Sequence, residues 1–375
     1  MNLVAWQEYD FLEVFERLRL KKYQLPKRDY SNSGKYPIVD QGKSKAVAYV
    51  DSDDPISEEL PFIVFGDHTR EIKWIDYPCF LGADGTQPLT TQECCLIKYG
   101  FYLLENTPLG SLGYSRHFSL LKEKQFALPP LPEQQKIAEI LGACDEAIEA
   151  QERLIAQKQQ RKKGLMQKLL TGEMRFPEFK EISWKAQMLS DQIEETPRKV
   201  KKPNSAFKAV GVRCHARGMF AKPDMLPDEI ALTELFEIKE GDVVVNISFA
   251  WEHAIAVAGR AHDGALVSHR FPTFVCRTNV ATPSFFKYFV QLSRMRYDLK
   301  CVSPGGAGRN RVLNKKDFKK LTYYFPGIEE QARIGDFLDA CSEEITQQQR
   351  QLEQLKQQKK GLMQQLLTGN VRVKV

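Results

Sequence analysis

The chain has 375 residues, 42% of them hydrophobic, with 54 Lys and Arg against 48 Asp and Glu for a formal charge of +6. That length suits about two domains, the hydrophobic share excludes general disorder, and the mild basicity permits a nucleic-acid partner without demanding one. No run approaches the ~18 apolar residues of a membrane span, and the opening MNLVAWQEYDFLEVFERLRL has early acids and no signal-peptide apolar core.

Residues 1–128 are rich in strand signals such as Pro61-Phe62-Ile63-Val64-Phe65, punctuated by Gly, Asp and Asn. Gly66-Asp67-His68-Thr69-Arg70 lies between strand-like runs, and reads equally as a hairpin turn or as a means of presenting His68 and Arg70 to a groove. The segment closes with GSLGYSRHFSLLKEKQFALPP.

From Pro129 to Phe176 the pattern changes to one long helix. Pro132 stands just before Glu133, where a proline-led start and an early acid suit the helix dipole. Ile137, Leu141, Cys144, Ile148, Ile155, Leu165 and Leu169 fall on a 3-4 seam that turns polar midway at Gln151, Lys158 and Lys162. Thr171-Gly172 supplies a stop.

Residues 179–325 return to strand signals, including Gly241-Asp242-Val243-Val244-Val245-Asn246-Ile247 and Ala254-Ile255-Ala256-Val257-Ala258, with a short helix expected from Pro283 to Leu299. This segment ends with SPGGAGRNRVLNKKDFKKLTYYFP. Then the helix returns. Pro326–Val373 aligns without a gap on Pro129–Phe176, about half the positions are identical, and KKGLMQ-x-LLTG recurs at Lys162–Gly172 and Lys359–Gly369. Its seam is Ile334, Leu338, Cys341, Ile345, Leu352, Leu355, Leu362 and Leu366.

Two matched helices with narrow stripes most simply bury those stripes against each other. About 38 residues at ~1.5 Å each make a rod of roughly 57 Å, and antiparallel pairing would make a stiff spacer with a globular unit at each end. Both globular segments open alike, with Trp6 ahead of Leu12 and Glu13, and Trp184 ahead of Leu189 and Asp191. The expected fold is therefore α+β: two mixed α/β domains separated by two long antiparallel coiled-coil helices, a pseudo-twofold internal repeat. The expected boundaries are 1–128, 129–178, 179–325 and 326–375.

The pattern resembles the specificity subunits of Type I restriction-modification systems over essentially the whole chain. The carrying residues are the helix starts LPPLPEQQKIAEIL and FPGIEEQARIGDFL and the two KKGLMQ-x-LLTG endings. YPIVDQG, IVFGDHTREIKWIDYPCFLGADGTQPL, GDVVVNISFAWEHAIAV and DGALVSHRFPTF look like that family's target-recognition domains. The resemblance implies that each domain reads one half of an asymmetric, bipartite double-stranded DNA target, while the helices set the unspecified spacer. It implies two adenine-methyltransferase (modification) subunits docked on the frame, joined by motor-nuclease (restriction) subunits. No cofactor is expected in this chain; S-adenosylmethionine, ATP and magnesium belong with the partner subunits. Half-sites about one duplex turn apart, roughly 34–36 Å, would fit the helix length.

Lys and Arg supply affinity through phosphates, and base-edge contacts supply specificity. The candidate DNA contacts in the first segment are Lys43, Lys45, His68, Arg70, Lys73, Ser115, Arg116 and His117. In the second they are Arg213, Arg217, Lys222, Gly305, Gly306, Arg309, Asn310 and Arg311, with glycines that let backbone approach a phosphate. Trp251 and His253 read more readily as core, and Lys199-Val200-Lys201-Lys202 as a solvated charge run. For Arg161-Lys162-Lys163 and Lys359-Lys360 the expectation is contact with modification subunits or solvent.

Catalytic readings are weaker. Pro227-Asp228 ahead of Glu237-Ile238-Lys239 fits a magnesium nuclease pattern that is short and frequent by chance, and it has no copy in the first segment. There is no phosphate loop, no glycine-rich cofactor loop in context and no Asn-Pro-Pro-aromatic tetrapeptide. Asp84-Gly85-Thr86 reads as a turn. The eight cysteines form no Cys-x-x-Cys pair and read as small buried hydrophobes in a reducing, cytoplasmic compartment, with no metal site expected. A helical scaffold without sequence reading is the alternative from another class.

Overall fold

The computed structural model describes residues 5–82, 85–110, 116–305 and 311–374. The chain divides into two units, Met1–Glu152 with Arg350–Val375, and Arg153–Gln349. Each unit thus holds one globular segment and part of both long helices, Leu131–Thr171 and Ile328–Leu366.

In the first unit Gln7–Asp10 pairs antiparallel with Gln125–Leu128 and joins the two ends of the globular segment. Between them lies a four-stranded antiparallel sheet in the order Phe15–Arg17, Thr86–Thr91, Phe62–Gly66, Ile72–Ile75. Successive strand residues face opposite sides. Ile63 and Phe65 accordingly enter a core with the helix Ile97–Glu105, while Phe62 and Val64 enter a second core. That second core carries a mixed sheet of Gln24–Leu25, Phe80–Gly82, Tyr36–Val39 and Ala48–Val50. A strand buried on both faces reads as a continuous apolar run rather than an alternating one.

The second unit repeats this frame. Lys185–Met188 pairs with Thr322–Phe325, and the four-stranded sheet runs Ile193–Glu195, Thr273–Cys276, Val243–Val245, Ile255–Val257. Here Val243 and Val245 face one core and Val244 the other. The acids of the two openings play one part: the Glu13 carboxylate accepts from the Asp10 amide (2.7 Å), and Asp191 from the Met188 amide (2.9 Å). The contents differ beyond the frame. The second unit has a small sheet of Lys199–Lys201, Glu234–Glu237 and Leu266–Val267, and a separate hairpin of Val210–Val212 with Met219–Ala221. The helix expected from Pro283 to Leu299 is two, Pro283–Phe289 and Ser293–Cys301, and the break falls where the His253 ring engages the Val290 carbonyl (2.7 Å).

The long helices pair antiparallel in both units. In the first, Lys359 meets Asp145 (2.8 Å) and Lys356 meets Glu152 (2.7 Å); in the second, Lys158 meets Glu344 (2.6 Å). The seam is buried most at its ends. Ile137 and Leu141 join Met363, Leu366 and Leu367 in the first core, and Leu169 and Leu170 join Ile334 and Leu338 in the second. Burying each such side chain stabilises by about 1.5–3 kcal/mol. Toward the middle Ile155 and Ile345 stay buried, whereas Cys144, Ile148, Leu165, Cys341, Leu352, Leu355 and Leu362 are half-buried.

Both helix starts are locked by a buried carboxylate. Glu330 accepts two hydrogen bonds from the Arg175 guanidinium (2.9 and 2.7 Å) and one from the Trp184 indole (2.9 Å). Glu133 takes the Arg372 guanidinium in the same fork (2.7 and 2.6 Å), with Arg372 over the Trp6 ring. The glycine stops Gly172 and Gly369 adopt φ of +75° and +74°, each against the tryptophan of its own unit. The next residue in each repeat, Gln134 or Gln331, bonds the backbone ahead of the short buried helix at residue 96 or 282.

Cys79, Cys95 and Cys276 are buried, and burial pushes each thiol up to about 12. The expectation of burial fails for the others: Cys94, Cys144, Cys214 and Cys341 are half-buried, and Cys301, at the end of its helix, is exposed.

Candidate nucleic-acid interface

In the first unit the basic residues singled out in the sequence converge through hydrogen bonds among three loops. The loop after Tyr36–Val39 is held by Gln41, whose side-chain oxygen accepts from the His68 amide (3.0 Å) and whose carbonyl accepts from the Thr69 hydroxyl. Gly66 is required there, because an added Cβ would lie 2.8 Å from the Gln41 carbonyl oxygen. The Asp67 carbonyl accepts from the His117 amide (2.8 Å), and its carboxylate caps the helix Phe118–Lys122 through the Phe118 amide (2.9 Å). Lys43, Lys45, His68, Arg70 and Arg116 therefore sit on connected loops, with Lys43, Lys45, Arg70 and Arg116 exposed.

Two residues play inward parts. Lys73 donates to the Asp40 and Ser44 carbonyls (both 2.7 Å), and burial holds its ammonium below the usual lysine range. It fixes the loop that displays Lys43. His117 is 1% exposed with its ring against the Asp67 carbonyl, so it secures the turn instead of offering an edge to solvent. Lys45 lies 3.1 Å from Glu149 on the first long helix, and Arg70 donates to the Leu109 carbonyl (2.8 Å). Ser115 lies outside the described residues, as do Gly306, Arg309 and Asn310 of the second unit.

The second unit builds a counterpart on the equivalent hairpin. Between Val243–Val245 and Ile255–Val257 the turn is bonded to the loop ahead of the last short helix by Leu313 N–H to the Ile247 carbonyl (2.9 Å), matching His117 to Asp67. The Val210–Val212 hairpin docks its own turn there, His215 and Ala216 donating to the Glu252 and His253 carbonyls (both 2.8 Å). Arg213 and Arg217 sit on that docked turn, and Arg311 lies over the Trp251 ring at 5.8 Å. Trp251 is half-buried, a platform for a guanidinium as well as part of the packing. Gly305 is exposed and bridges to Arg311. Lys222 follows the hairpin at the end opposite its turn, apart from this cluster. Sequence reasoning missed Arg270, whose carbonyl accepts from Ile247 (3.0 Å) and whose only signal was its place in SHRFPTF.

The carboxylates near the nuclease-like spacing are engaged structurally. Asp242 is 2% exposed, forked by Arg198 (2.6 and 3.0 Å) and capping the Lys239 amide (2.9 Å), while Glu237 pairs with Lys239. Among the described residues no group of three or more His, Cys, Asp or Glu is placed to hold a metal ion, and no helix is long and apolar enough to cross a membrane.

Comparison with known proteins gives a consistent result. A family model described as the Type I restriction modification DNA specificity domain matches residues 4–157 and 214–357. A putative type I restriction enzyme MjaX specificity subunit of Methanocaldococcus jannaschii is 26% identical over 277 residues, covering 68% of this chain and 61% of that protein. The MjaVIII specificity subunit of the same organism is 24% identical over 266 residues, 66% of this chain and 62% of that one. The chain thus spans less than two thirds of the curated relatives' length. The crystal structure of a Type-I restriction-modification S subunit from M. genitalium superposes with a TM-score of 0.60 at 15% identity, over 98% of this chain and 96% of that one.

Proposed function

Because the chain belongs to the family defined by the Type I restriction modification DNA specificity domain, we propose that it is the non-catalytic, DNA-reading subunit of a Type I restriction-modification complex. Segments 1–128 and 179–325 each read one half of a bipartite target. The helical segments 129–178 and 326–375 set the gap and dock two adenine-methyltransferase subunits, with motor-nuclease subunits joining them. S-adenosylmethionine, ATP and magnesium belong to those partners, and the assembly acts in the cytoplasm, where the DNA is.

One observation carries this reading. Both units gather their basic residues around the turn of the same hairpin in the same four-stranded frame, tied to the same loop, but bring them from different neighbouring loops, so the residues displayed there differ. A shared frame with different contents is what two readers of different half-sites need. Exposed Arg and Lys, Arg213 and Arg217 among them, position the duplex through phosphates, and Arg311 has donors suited to a guanine edge.

The test is a genome-wide map of methylated adenines in a methylation-free host expressing a modification subunit with and without this chain. A split motif with a fixed gap, present only with the chain, is the expected result. A stable complex that leaves the genome unmethylated would overturn it. A finer expectation concerns Arg116 and Arg217, both exposed. As phosphate contacts, each alanine variant should weaken binding on all sequences and flatten log K against log salt by about 1. A changed base preference with an unchanged slope would reassign that residue to base reading.

A further inference from the structure

The alignment of the two long helices extends to their surroundings, and one position breaks it. Lys359 and its repeat partner Lys162 lie over equivalent tyrosine rings, Tyr102 and Tyr288, both at 5.1 Å. In the first unit Lys359 is neutralised from within, bonded to Glu105 (2.9 Å) and Asp145 (2.8 Å), and Tyr102 also donates to Asp145 (2.6 Å). Burial opposes its charge, but those carboxylates outweigh burial and hold the ammonium above the usual lysine range.

In the second unit both carboxylates are replaced. Ser342 stands in the place of Asp145 and meets Tyr288 at 2.8 Å, and Gln291 stands in the place of Glu105. The nearby Asp339 is engaged by Lys287 and Tyr288. Lys162 is half-buried, and among the described residues neither it nor the exposed Arg161 forms an ion pair. Burial, then Lys287, pushes its ammonium below the usual range. Both line a 200 Å³ cavity between the two helices with Lys158, Leu165, Phe337 and Cys341, where the sole carboxylate is Glu344, already paired with Lys158. The repeat partners of Lys158 and Arg161 in the first unit are Leu355 and Gln358, so of these three cationic positions only Lys359 keeps its charge there, and it is already paired.

We propose that the cavity lined by Lys158, Arg161 and Lys162 is a docking site for a carboxylate-bearing segment of a partner protein subunit, and that its counterpart around Lys359 takes the same segment without an ion pair. The proposal rests on the reading above that modification subunits dock on the helices. The cavity's chemistry favours protein over nucleic acid. Lys162 is half-buried over a ring, and Leu165, Phe337 and Cys341 complete the lining, whereas phosphate-tracking surfaces present mobile cations to water. A carboxylate entering a half-buried cationic site forms a hydrogen-bonded pair whose loss raises the off-rate. Two copies of one partner are therefore held with unequal salt sensitivity.

The experiment is native mass spectrometry of the full chain co-expressed with a modification subunit, as salt shortens the Debye length from ~10 Å toward ~3 Å. Wild type should hold two copies and release one first. Lys162→Gln should weaken that copy by about tenfold or more. The double variant Gln291→Glu/Ser342→Asp, which gives Lys162 the internal partners of Lys359, should release it at low salt while leaving the helices paired. Release of both copies together, unchanged by either variant, overturns the proposal. Loss of DNA binding with both copies retained also overturns it and makes the cavity a phosphate track. If wild type captures no modification subunit, the docking reading itself fails.

Discussion

Glu330→Ala is expected to destabilise the second unit by about 1.5–3 kcal/mol, the cost of losing charge-assisted hydrogen bonds from the half-buried Arg175 and the Trp184 indole. Glu330 is 2% exposed and its fork to Arg175 is completed by the Trp184 indole, so removal strands a guanidinium and an indole N–H together. The same change at Glu133, also buried and forked by Arg372, should act on the first unit alone. Urea denaturation followed by fluorescence of Trp184 in one variant and Trp6 in the other measures the two losses. A loss under about 1 kcal/mol, the size of an exposed pair, would show that these forks do not hold the helix starts.

The second large effect concerns the gap between half-sites. Four residues inserted into both helices, between Gln151 and Lys163 and at the aligned place between Gln348 and Lys360, lengthen each by about 6 Å. At ~3.4 Å per base pair the methylated motif should gain about two unspecified base pairs. Insertion into the first helix alone should instead abolish binding. The pairs Lys359 with Asp145 and Lys158 with Glu344 would then demand different registers, and Leu169 and Leu170 would be drawn from the second core. Methylome sequencing of both variants checks this. An unchanged motif from the double insertion would mean the helices do not set the distance.

The helices were legible because a 3-4 seam repeats in sequence and both copies obey it. The seam was misjudged only at its ends. Leu170, Met363 and Leu367 are buried there because the helix leaves a two-helix groove and enters a domain core, which covers a wider stripe than pairing does. The strands were visible as apolar runs, but their order was not. Phe15 pairs with Thr91 and Ile193 with Cys276, and pairings that distant leave no local mark. At the interface the sequence showed which residues carry charge but not which way they point. Lys43 and Lys73 look alike as letters, yet one is displayed and the other is bonded beneath the same loop. Asp67 and Gln41, which fix the site, carry no signature beyond ordinary turn chemistry.

The burial of Met363, Leu366 and Leu367 in the first core bears on the order in which a ribosome could release finished structure. The second unit, Arg153–Gln349, is one unbroken stretch and can close as soon as it emerges. The first unit begins to emerge earlier, yet Met363, Leu366 and Leu367 of its core are synthesised only after the whole of its neighbour. Its helix Ile97–Glu105 and the start of Leu131–Thr171 must wait with Ile137 and Leu141 uncovered. Vectorial synthesis therefore inverts the sequence order, and the later-born unit matures first.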